Sequence, residues 1–404
     1  MKTIIYYSFP VSGHINPVLK LLESLSKGDY RIICYSTNQY KNVIESTGAI
    51  FKDYNEDSEC INLNVPPEKM TLLTLSRIII SFIKKMFPKL LKDAKVYSPD
   101  CIGLDFFCIW GKMIAEGLKV KSFTTITQFA PHPKKFKPFP GMMKHLIQIL
   151  FFGQKTIFQF RKLIRKINLE VTIGKFKFFD IFMNYCKLNI VYVNKEIQPD
   201  YETFDSSFVF TGPSLRTSGT TLYDEIKFDR CYDGKLIYIS LGTLYNQNLS
   251  FYLNCVRVFK NTKHKIIISI GKSINIKDFG IIPDNIVVRN HVDQLQVLSK
   301  ADLFITHGGM NSINEALYHK VKMIIIPQAV DQYATAQQLS NLKLAFYYKK
   351  KTIDDKLLLV IDDLINDSNL EKRLVDVSSK IHTNMLNVDF KNIIDNFLCS
   401  NLPI

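Results

Sequence analysis

The sequence predicts an α/β protein made of two domains, each built around a parallel sheet. Short runs of β-branched and apolar residues alternate with segments of helical periodicity, and the same alternation starts again near residue 235. The chain has 404 residues, enough for two or three domains. Because 47% of its residues are hydrophobic and 22% are charged, a disordered or collagen-like chain is excluded.

Each half contributes five predicted strands, and the first of them, TIIYYSF (3–9), is the apolar kind that is typical of strands buried on both faces of a sheet. In the first half these are residues 3–9, 31–37, 101–105, 120–126 and 188–194. In the second half they are residues 235–243, 265–271, 285–290, 303–309 and 322–327. The segments between them carry apolar residues at helical spacing.

The ends of the domains follow from local signals. Asn16 and Pro17 predict a helix with Asn16 as its N-cap, and Gly28 is placed to end that helix. We predict a first domain over residues 1–214 and a second over 215–385. The last stretch, 386–404, contains a helix with no strand after it, and we expect that helix to pack back on the first domain.

The charge of the chain is unevenly distributed. Lys and Arg outnumber Asp and Glu by 52 to 37, and residues 132–188 carry twelve basic residues against Glu170 and Asp180. Basic residues among Phe, Leu and Ile suit an anionic lipid surface. The alternative, which we favour, is a lysine-rich composition on solvated helices. Nucleic-acid binding is a weaker hypothesis, because the charge lies in one segment and no recognition motif is present.

Cysteine spacing and hydropathy indicate a reducing, intracellular environment. The eight cysteines are scattered with no C-x-x-C pair, so we expect buried thiols rather than disulfides or a zinc site. The N-terminal segment lacks a signal-peptide core. The longest uncharged apolar run in the middle of the chain, 146–152, is far shorter than the roughly 20 residues of a membrane span. We therefore expect a cytoplasmic protein.

The most informative segment is 290–332. A predicted buried strand runs into His307, Gly308 and Gly309, and a helix is predicted to begin near Asn311 and Ser312. Glycines let a ligand approach the backbone, and a helix N-terminus offers unpaired N–H groups to a phosphate. A tight turn with an ordinary N-cap explains the same residues equally well. Glu315, one turn further on, is suited to accept from hydroxyls.

Two further turns fall at the same predicted edge of the second sheet. Ser240, Gly242 and Thr243 follow its first strand, and Asp331 and Gln332 follow the strand that ends at Pro327. In an open parallel sheet the loops at the carboxyl ends of strands meet at one crevice, so these turns can face one ligand. Asp331 and Gln332 suit sugar hydroxyls, although a solvated N-cap explains them as well.

In the first half, His14 and Asp105 are the candidate reactive pair. His14 is predicted to lie just before the Asn16–Pro17 helix start, where a helix N-terminus disfavours imidazolium. Asp105 ends a predicted strand and can hold the imidazole through a hydrogen bond. Taken singly, the histidine is more often structural and the aspartate a routine cap. The pair matters because both would lie at one edge of the sheet.

These segments together resemble the family 1 glycosyltransferases that use nucleotide-activated sugars, particularly the bacterial branch acting on macrolides and flavonoids. Residues 290–332 are similar to the donor-binding signature of that family, in which Asn, Ser and Glu follow His by four, five and eight residues. FPVSGHINPVLKLLESL (9–25), VFTGPSL (209–215) and IYISLGT (237–243) resemble other family segments. The resemblance implies a GT-B fold: two Rossmann-like domains facing a central cleft.

The resemblance also assigns roles. It implies that His14 is the general base and Asp105 its partner, that His307 binds the diphosphate, that Glu315 binds the ribose, and that Asp331 and Gln332 bind the sugar. His291 stands where the family usually has an aromatic residue stacked on uracil, and Asp293 replaces the family's proline. The implied donor-binding residues are Ser240, Gly242, Thr243, His291, Val292, Gln294, His307, Gly308, Gly309, Asn311, Ser312, Glu315, Asp331 and Gln332.

The implied reaction is the inverting transfer of a hexose, glucose being the family's usual donor sugar, from a UDP-sugar to a small apolar hydroxylated acceptor. No Asp-x-Asp box is visible, so we predict neither a metal nor a cofactor besides the UDP-sugar co-substrate. Two alternatives stay open: a glycolipid synthase of similar fold at a membrane surface, and a basic nucleic-acid-binding protein. A pseudoenzyme is disfavoured because His14 and Asp105 are both present.

Overall fold

The computed structural model describes residues 1–55, 65, 70–133, 140–215, 234–243, 246–328 and 330–400. The chain divides into two compact units, one formed by Met1–Ser214 with Asn387–Ile404 and the other by Leu215–Leu386. Each unit has its own parallel sheet. Some of the cysteines and basic residues counted above lie outside the described residues: Cys60, Cys231, Lys134, Lys135 and Lys137.

The first unit contains a seven-stranded parallel sheet in the order β3-β2-β1-β4-β5-β6-β7. Its strands are β1 (Lys2–Tyr7), β2 (Tyr30–Ser36), β3 (Ile50–Asp53), β4 (Cys101–Asp105), β5 (Lys121–Ile126), β6 (Leu188–Val191) and β7 (Phe208–Phe210). Tyr7 pairs with Leu104 and Asp105 with Thr125, so β1, β4 and β5 end side by side. The segments that follow these three strands therefore lie at one edge of the sheet.

Helices cover both faces of this sheet. They are α1 (Ser12–Lys27), α2 (Lys41–Glu45), α3 (Leu72–Tyr97), α4 (Ile109–Leu118), α5 (Pro140–Phe152) and α6 (Gln154–Glu170). One core joins the sheet to α3, α4 and α6, with Trp110 fully buried against Tyr54 and Phe82. The predicted helical character of the basic stretch is thus confirmed over α5 and α6.

The predicted start of the first helix is wrong by one turn. α1 begins at Ser12, with Val11 as its N-cap, so His14 lies inside the first turn and Pro17 inside the helix. No side chain caps this end; instead the N–H groups of His14 and Ile15 donate to the Val11 carbonyl at 2.9 and 3.1 Å. The Asn-Pro signal was misleading because the real start carries no polar cap. The predicted end at Gly28 is confirmed.

The last helix of the chain, α13 (Phe390–Cys399), packs within the first unit. Phe390, Ile394 and Phe397 are buried in the same core as the apolar face of α1. The ammonium of Lys121, at the start of β5, donates to the carbonyls of Phe397 and Leu398, each at 3.0 Å. These carbonyls have no partner within the helix, so Lys121 satisfies the end of α13.

The second unit contains a six-stranded parallel sheet in the order β10-β9-β8-β11-β12-β13. Its strands are β8 (Leu236–Ser240), β9 (Lys265–Ser269), β10 (Ile286–Arg289), β11 (Leu303–Thr306), β12 (Lys322–Ile325) and β13 (Phe346–Tyr347). Its helices are α7 (Leu249–Phe259), α8 (Gln294–Leu298), α9 (Met310–Tyr318), α10 (Val330–Asn341), α11 (Lys356–Asn366) and α12 (Ser368–Asn387).

The predicted fold class, two α/β units with parallel sheets, is therefore confirmed. All ten predicted strands are present, most of them one to three residues shorter than expected, and the short strands β3, β7 and β13 were not predicted.

The described cysteines are free thiols, as expected. Cys34, Cys101, Cys108 and Cys255 are buried, and burial raises the pKa of each of these thiols. Cys186 is only half-buried, and the expectation of burial fails for Cys399, which is exposed near the end of α13. Among the residues that the structure describes, no helix combines the length and the hydropathy needed to cross a membrane.

Candidate functional site

The structure brings His14 and Asp105 together. Because β1 and β4 are neighbours in the sheet, the first turn of α1 lies beside the last residue of β4. Nδ1 of His14 lies 2.7 Å from Oδ2 of Asp105. The predicted hydrogen bond is present although His14 lies one turn deeper in its helix than expected.

Further contacts orient this pair. The Asp105 side chain is only 1% exposed, and its other oxygen accepts from the backbone N–H of Phe107 at 3.0 Å. A carboxylate can only accept, so this contact selects the tautomer of His14 that carries its proton on Nδ1 and leaves a lone pair on Nε2. The His14 side chain is 15% exposed, so it is largely but not completely removed from water.

Three residues around His14 were not predicted. Phe9 and Phe107 pack against its ring with centroid distances of 5.5 and 5.3 Å, and Oγ1 of Thr127 lies 3.3 Å from Nδ1. All three lie within two residues of the ends of strands β1, β4 and β5, which end at this edge of the sheet. Their position after those strands was the available signal. The His14 ring therefore has two apolar neighbours, Phe9 and Phe107, and one polar neighbour, Thr127.

In the second unit, His307 lies between two glycine turns. β8 and β11 are neighbours, with Ser240 opposite Thr306, so the loops after them meet. A Cβ atom added at Gly242 would lie 2.5 Å from Cε1 of His307, and one added at Gly309 would lie 2.5 Å from Nε2. Since real Cβ atoms do not approach so closely, both positions must be glycine for the ring to fit.

His307 has a different electrostatic environment from His14. Its side chain is buried, and burial lowers its pKa to about 4, which the backbone of Ser240 opposes only in part. His307 is therefore neutral at pH 7. Gly308, with φ +87°, adopts the left-handed conformation that turns the chain from β11 towards α9.

The helix predicted near Asn311 and Ser312 begins slightly earlier, at Met310, with Gly309 as its N-cap. No side chain caps it, and the start of a helix is where backbone N–H groups and the positive end of the helix dipole favour an anion. Asn311 is half-buried and Ser312 buried in that first turn. The structure thus places a helix start where the sequence predicts one, and the binding of an anion there stays a prediction.

Gln294 connects two other predicted donor residues, Ser312 and Glu315. Its amide nitrogen donates to Oγ of Ser312 at 3.2 Å and to the carboxylate of Glu315. Its amide oxygen accepts from the hydroxyl of Tyr238 at 3.2 Å. Tyr238, which was not predicted, stacks on Phe304 with ring centroids 4.8 Å apart. Its place on β8, two residues before Ser240 and on the same face, was the signal.

The other predicted donor residues lie in the adjacent loops. His291 is half-buried and Val292 buried just before α8, and burial, with a contribution from Lys272, lowers the pKa of His291. Oγ of Ser240 accepts from the N–H of Gly242 at 3.2 Å, which shapes that turn. Thr243 is exposed at its end.

Asp331 and Gln332 lie in the first turn of α10, beyond β12, the strand next to β11. Asp331 is exposed. Gln332 is buried, and its amide oxygen accepts from the N–H of Gln328 at 2.7 Å, so it also holds the loop after β12. The loops after β8, β11 and β12 therefore line one edge of the second sheet.

Metal ligands do not cluster at either place. Over the described ranges, no group of three or more His, Cys, Asp or Glu side chains is arranged to hold a metal ion.

Comparisons with known proteins match this arrangement over most of the chain. Residues 236–384 match the model of the glycosyltransferase family 28 C-terminal domain. The NDP-glycosyltransferase YjiC of Bacillus licheniformis is 31% identical to this chain, and the match covers 94% of this chain and 93% of YjiC. YojK of Bacillus subtilis, named as an uncharacterized UDP-glucosyltransferase, is 28% identical over 94% of both chains.

A solved structure, that of the glycosyltransferase of kitacinnamycin, has the same fold. It superposes with a TM-score of 0.84 at 24% identity, covering 98% of this chain and 99% of that chain. At this identity the likeness concerns the fold alone.

Proposed function

This chain belongs to the family 1 glycosyltransferases of the GT-B fold, and from that premise we propose a specific reaction for it. In this reaction a hexose, first of all glucose, moves from a UDP-sugar to a hydroxyl of a small apolar acceptor. The anomeric configuration inverts and no metal ion takes part. The observation that carries the proposal is the 2.7 Å contact between Nδ1 of His14 and the buried carboxylate of Asp105.

His14 acts as the general base in this proposal. Nε2 takes the proton of the acceptor hydroxyl as that oxygen attacks the anomeric carbon. The positive charge that forms on the ring is stabilised by Asp105, whose buried position excludes competing water. A well-placed general base of this kind accelerates a reaction by about 10²–10⁴-fold. Phe9 and Phe107 beside the ring favour an apolar acceptor.

The leaving group is stabilised by the second unit. As the acceptor oxygen bonds to the anomeric carbon, the bond from that carbon to the diphosphate breaks and negative charge grows on the diphosphate. The N–H groups at the start of α9 and the positive end of its dipole meet that charge. His307 is neutral, so it contributes a hydrogen bond rather than a full charge.

The remaining donor residues recognise hydroxyls and the base. Glu315, oriented by the Gln294 amide, accepts from the ribose hydroxyls. Asp331, exposed at the start of α10, accepts from sugar hydroxyls, and the Gln332 amide nitrogen donates there while its oxygen holds the loop. His291 provides the ring on which uracil stacks. UDP-glucose is the first donor to test because YojK is named as a UDP-glucosyltransferase.

A donor and acceptor screen with the full chain tests this function. UDP-glucose, UDP-galactose, UDP-GlcNAc and dTDP-glucose are each offered with a flavonoid, a macrolide and a diacylglycerol. We expect glucosylation of the flavonoid or macrolide, a product anomer opposite to the donor's by NMR coupling, and an unchanged rate in EDTA. Failure of every pair, together with no heat of UDP binding by calorimetry, would overturn the proposal.

A further inference from the structure

One face of α5 is apolar and exposed. Met143, Ile147, Leu150 and Phe151 follow one another at intervals of four, three and one residues, which places them on one side of the helix. Leu150 is 63% and Phe151 70% exposed. On the opposite side of the helix, Ile149 is buried in the core of the first unit. The apolar stripe that faces outward is thus additional to the one that packs inward.

The next helix also has an exposed outer side, which adds positive charge. α6 buries Phe160, Ile164 and Ile167, whereas Phe158 and Leu169 on its other side are exposed. Among them are five exposed basic residues against a single acidic one, Glu170. The basic residues are Lys155, Arg161, Lys162, Arg165 and Lys166. We call the outward sides of the two helices the α5–α6 face.

The sharp junction between the helices is built into the sequence. The backbone N–H of Gly153 donates to the Ile149 carbonyl at 2.8 Å, and a Cβ atom added at Gly153 would lie 2.3 Å from that carbonyl oxygen. Only glycine fits there, so α6 starts one residue after α5 ends. The exposed apolar side chains Phe151 and Phe152 project at this junction beside the start of the basic helix.

From this juxtaposition we propose that the α5–α6 face binds the surface of an anionic lipid bilayer. Apolar side chains enter the boundary between headgroups and acyl chains, while Lys and Arg contact the anionic headgroups; this is how amphipathic helices lie on membranes. The charge argues against a second copy of this chain as the occupant, because two copies would bring ten basic residues together. An exposed apolar patch beside basic residues is otherwise an aggregation hazard that a soluble surface avoids.

Vesicle flotation of the full chain tests the proposal and does not depend on transferase activity. Vesicles of phosphatidylcholine with phosphatidylglycerol are compared with phosphatidylcholine alone, at physiological and at high salt. We expect the protein to float with the anionic vesicles at physiological salt and to be released at high salt. Absence from the anionic vesicles, or equal binding to both kinds, would overturn the proposal.

Substitutions at exposed positions separate the contribution of the basic residues to vesicle binding from that of the apolar residues. Lys162→Gln with Arg165→Gln should lower the partition coefficient about 25-fold, at about fivefold for each basic residue. Ile147→Gln with Phe151→Gln should lower it at least about tenfold. Leu359→Gln, at a 71% exposed leucine of α11, is the matched control and should bind as wild type. Circular dichroism checks that each variant is folded.

Analytical sedimentation of the same proteins tests whether a second copy of this chain occupies the α5–α6 face instead. The lipid proposal is wrong if three results occur together: the wild type dimerises, the Ile147→Gln with Phe151→Gln variant does not, and vesicles are not bound. A second copy of the chain would then cover the α5–α6 face. If a variant pair and the Leu359→Gln control lose vesicle binding equally, the binding is not made by the α5–α6 face and the proposal is also wrong.

Discussion

The chain contains two histidines that each follow a strand of a parallel sheet, one in each unit, and their surroundings differ in one decisive respect. His14 follows β1 and has a carboxylate 2.7 Å from Nδ1. His307 follows β11, is buried, and lies between Gly242 and Gly309 with a pKa lowered to about 4. A carboxylate stabilises an imidazolium, whereas burial without one excludes it.

The same side chain can therefore serve opposite purposes in one fold. A ring beside a carboxylate can gain a proton during a reaction. A ring wedged between glycines stays neutral and offers only shape and one hydrogen bond. The difference teaches that the carboxylate at the end of β4, and not the histidine after the strand, distinguishes a base from a binding residue. The predictions below test this distinction.

His14→Ala should have the largest effect. Removal of the proposed base should lower kcat by at least about 10³-fold, because the acceptor hydroxyl then loses its proton only to water. The dissociation constant of UDP, measured by calorimetry, should stay nearly unchanged. His382→Ala, at an exposed histidine on α12, serves as the control and should keep full activity. Full activity of His14→Ala would refute the base assignment.

His307→Gln should change how stability depends on pH. The folded state keeps His307 neutral down to about pH 4, whereas the unfolded chain binds a proton below its ordinary pKa. Above about pH 6.5 His307 is neutral in both states and does not change the free energy of unfolding. As the pH falls to about 4, its effect lowers the free energy of unfolding by an increasing amount, up to about 3 kcal/mol. In His307→Gln this contribution is absent, so the free energy of unfolding should fall less steeply with decreasing pH than it does in the wild type.

Denaturant unfolding at several pH values measures this difference. The free energy of unfolding of wild type minus that of His307→Gln should fall steadily between about pH 6.5 and about pH 4. His382→Gln controls for the loss of an exposed imidazole. A difference that stays constant over this range would show that His307 is not held neutral, and the contrast with His14 would disappear.

Asp105→Asn should cost less than His14→Ala but still about 10²-fold in kcat. Asparagine keeps the size of the side chain and an oxygen for the Phe107 N–H, yet it brings no charge to stabilise the imidazolium. Because Asp105 acts through His14, the KM for the donor should not change. A large rise in the donor KM with unchanged kcat would indicate a structural role instead and remove the distinction between the two histidines.

Much of both sites could be predicted from the sequence because parallel sheets have a simple rule. Residues directly after neighbouring strands meet at one edge, so Ser240, His307 and Asp331 could be assigned to one edge of a sheet from strand order alone. The His14–Asp105 contact followed in the same way. This contact could be predicted although the predicted start of α1 was wrong by one turn, because one turn is only about 5 Å along the helix.

What could not be predicted depends on side chains that meet across the fold. Tyr238, which holds Gln294, and Thr127, which approaches His14, belong to no local motif. Lys322 is buried, and its ammonium donates to the carbonyl of Ile365 at 2.7 Å, at the end of α11. The presence of a lysine in a strand does not predict that its side chain will bind the end of a helix more than forty residues away in the sequence. The very short strand β13 has too few residues to show a pattern.

Gly309→Ala should have the smallest effect and affect binding alone. The φ of Gly309 is −63°, so alanine adopts its backbone without strain, and only the approach to His307 opposes the methyl group. The ring must shift, which displaces it from the start of α9. We expect the donor KM to rise about tenfold, equivalent to about 1.4 kcal/mol, with kcat nearly unchanged.

Gly280→Ala is the matched control for this last variant. Gly280 lies in the same unit at φ +61°, and a Cβ atom added there meets nothing within 4 Å. Gly280 has ψ −130°, a backbone conformation that alanine adopts only under strain, so Gly280→Ala should lower stability by about 1–3 kcal/mol but leave the donor KM unchanged. If both variants raise the donor KM equally, general destabilisation explains the effect and the fit of His307 between its glycines does not control donor binding. If Gly309→Ala lowers kcat and leaves KM unchanged, His307 contributes in the transition state, as His14 is proposed to do.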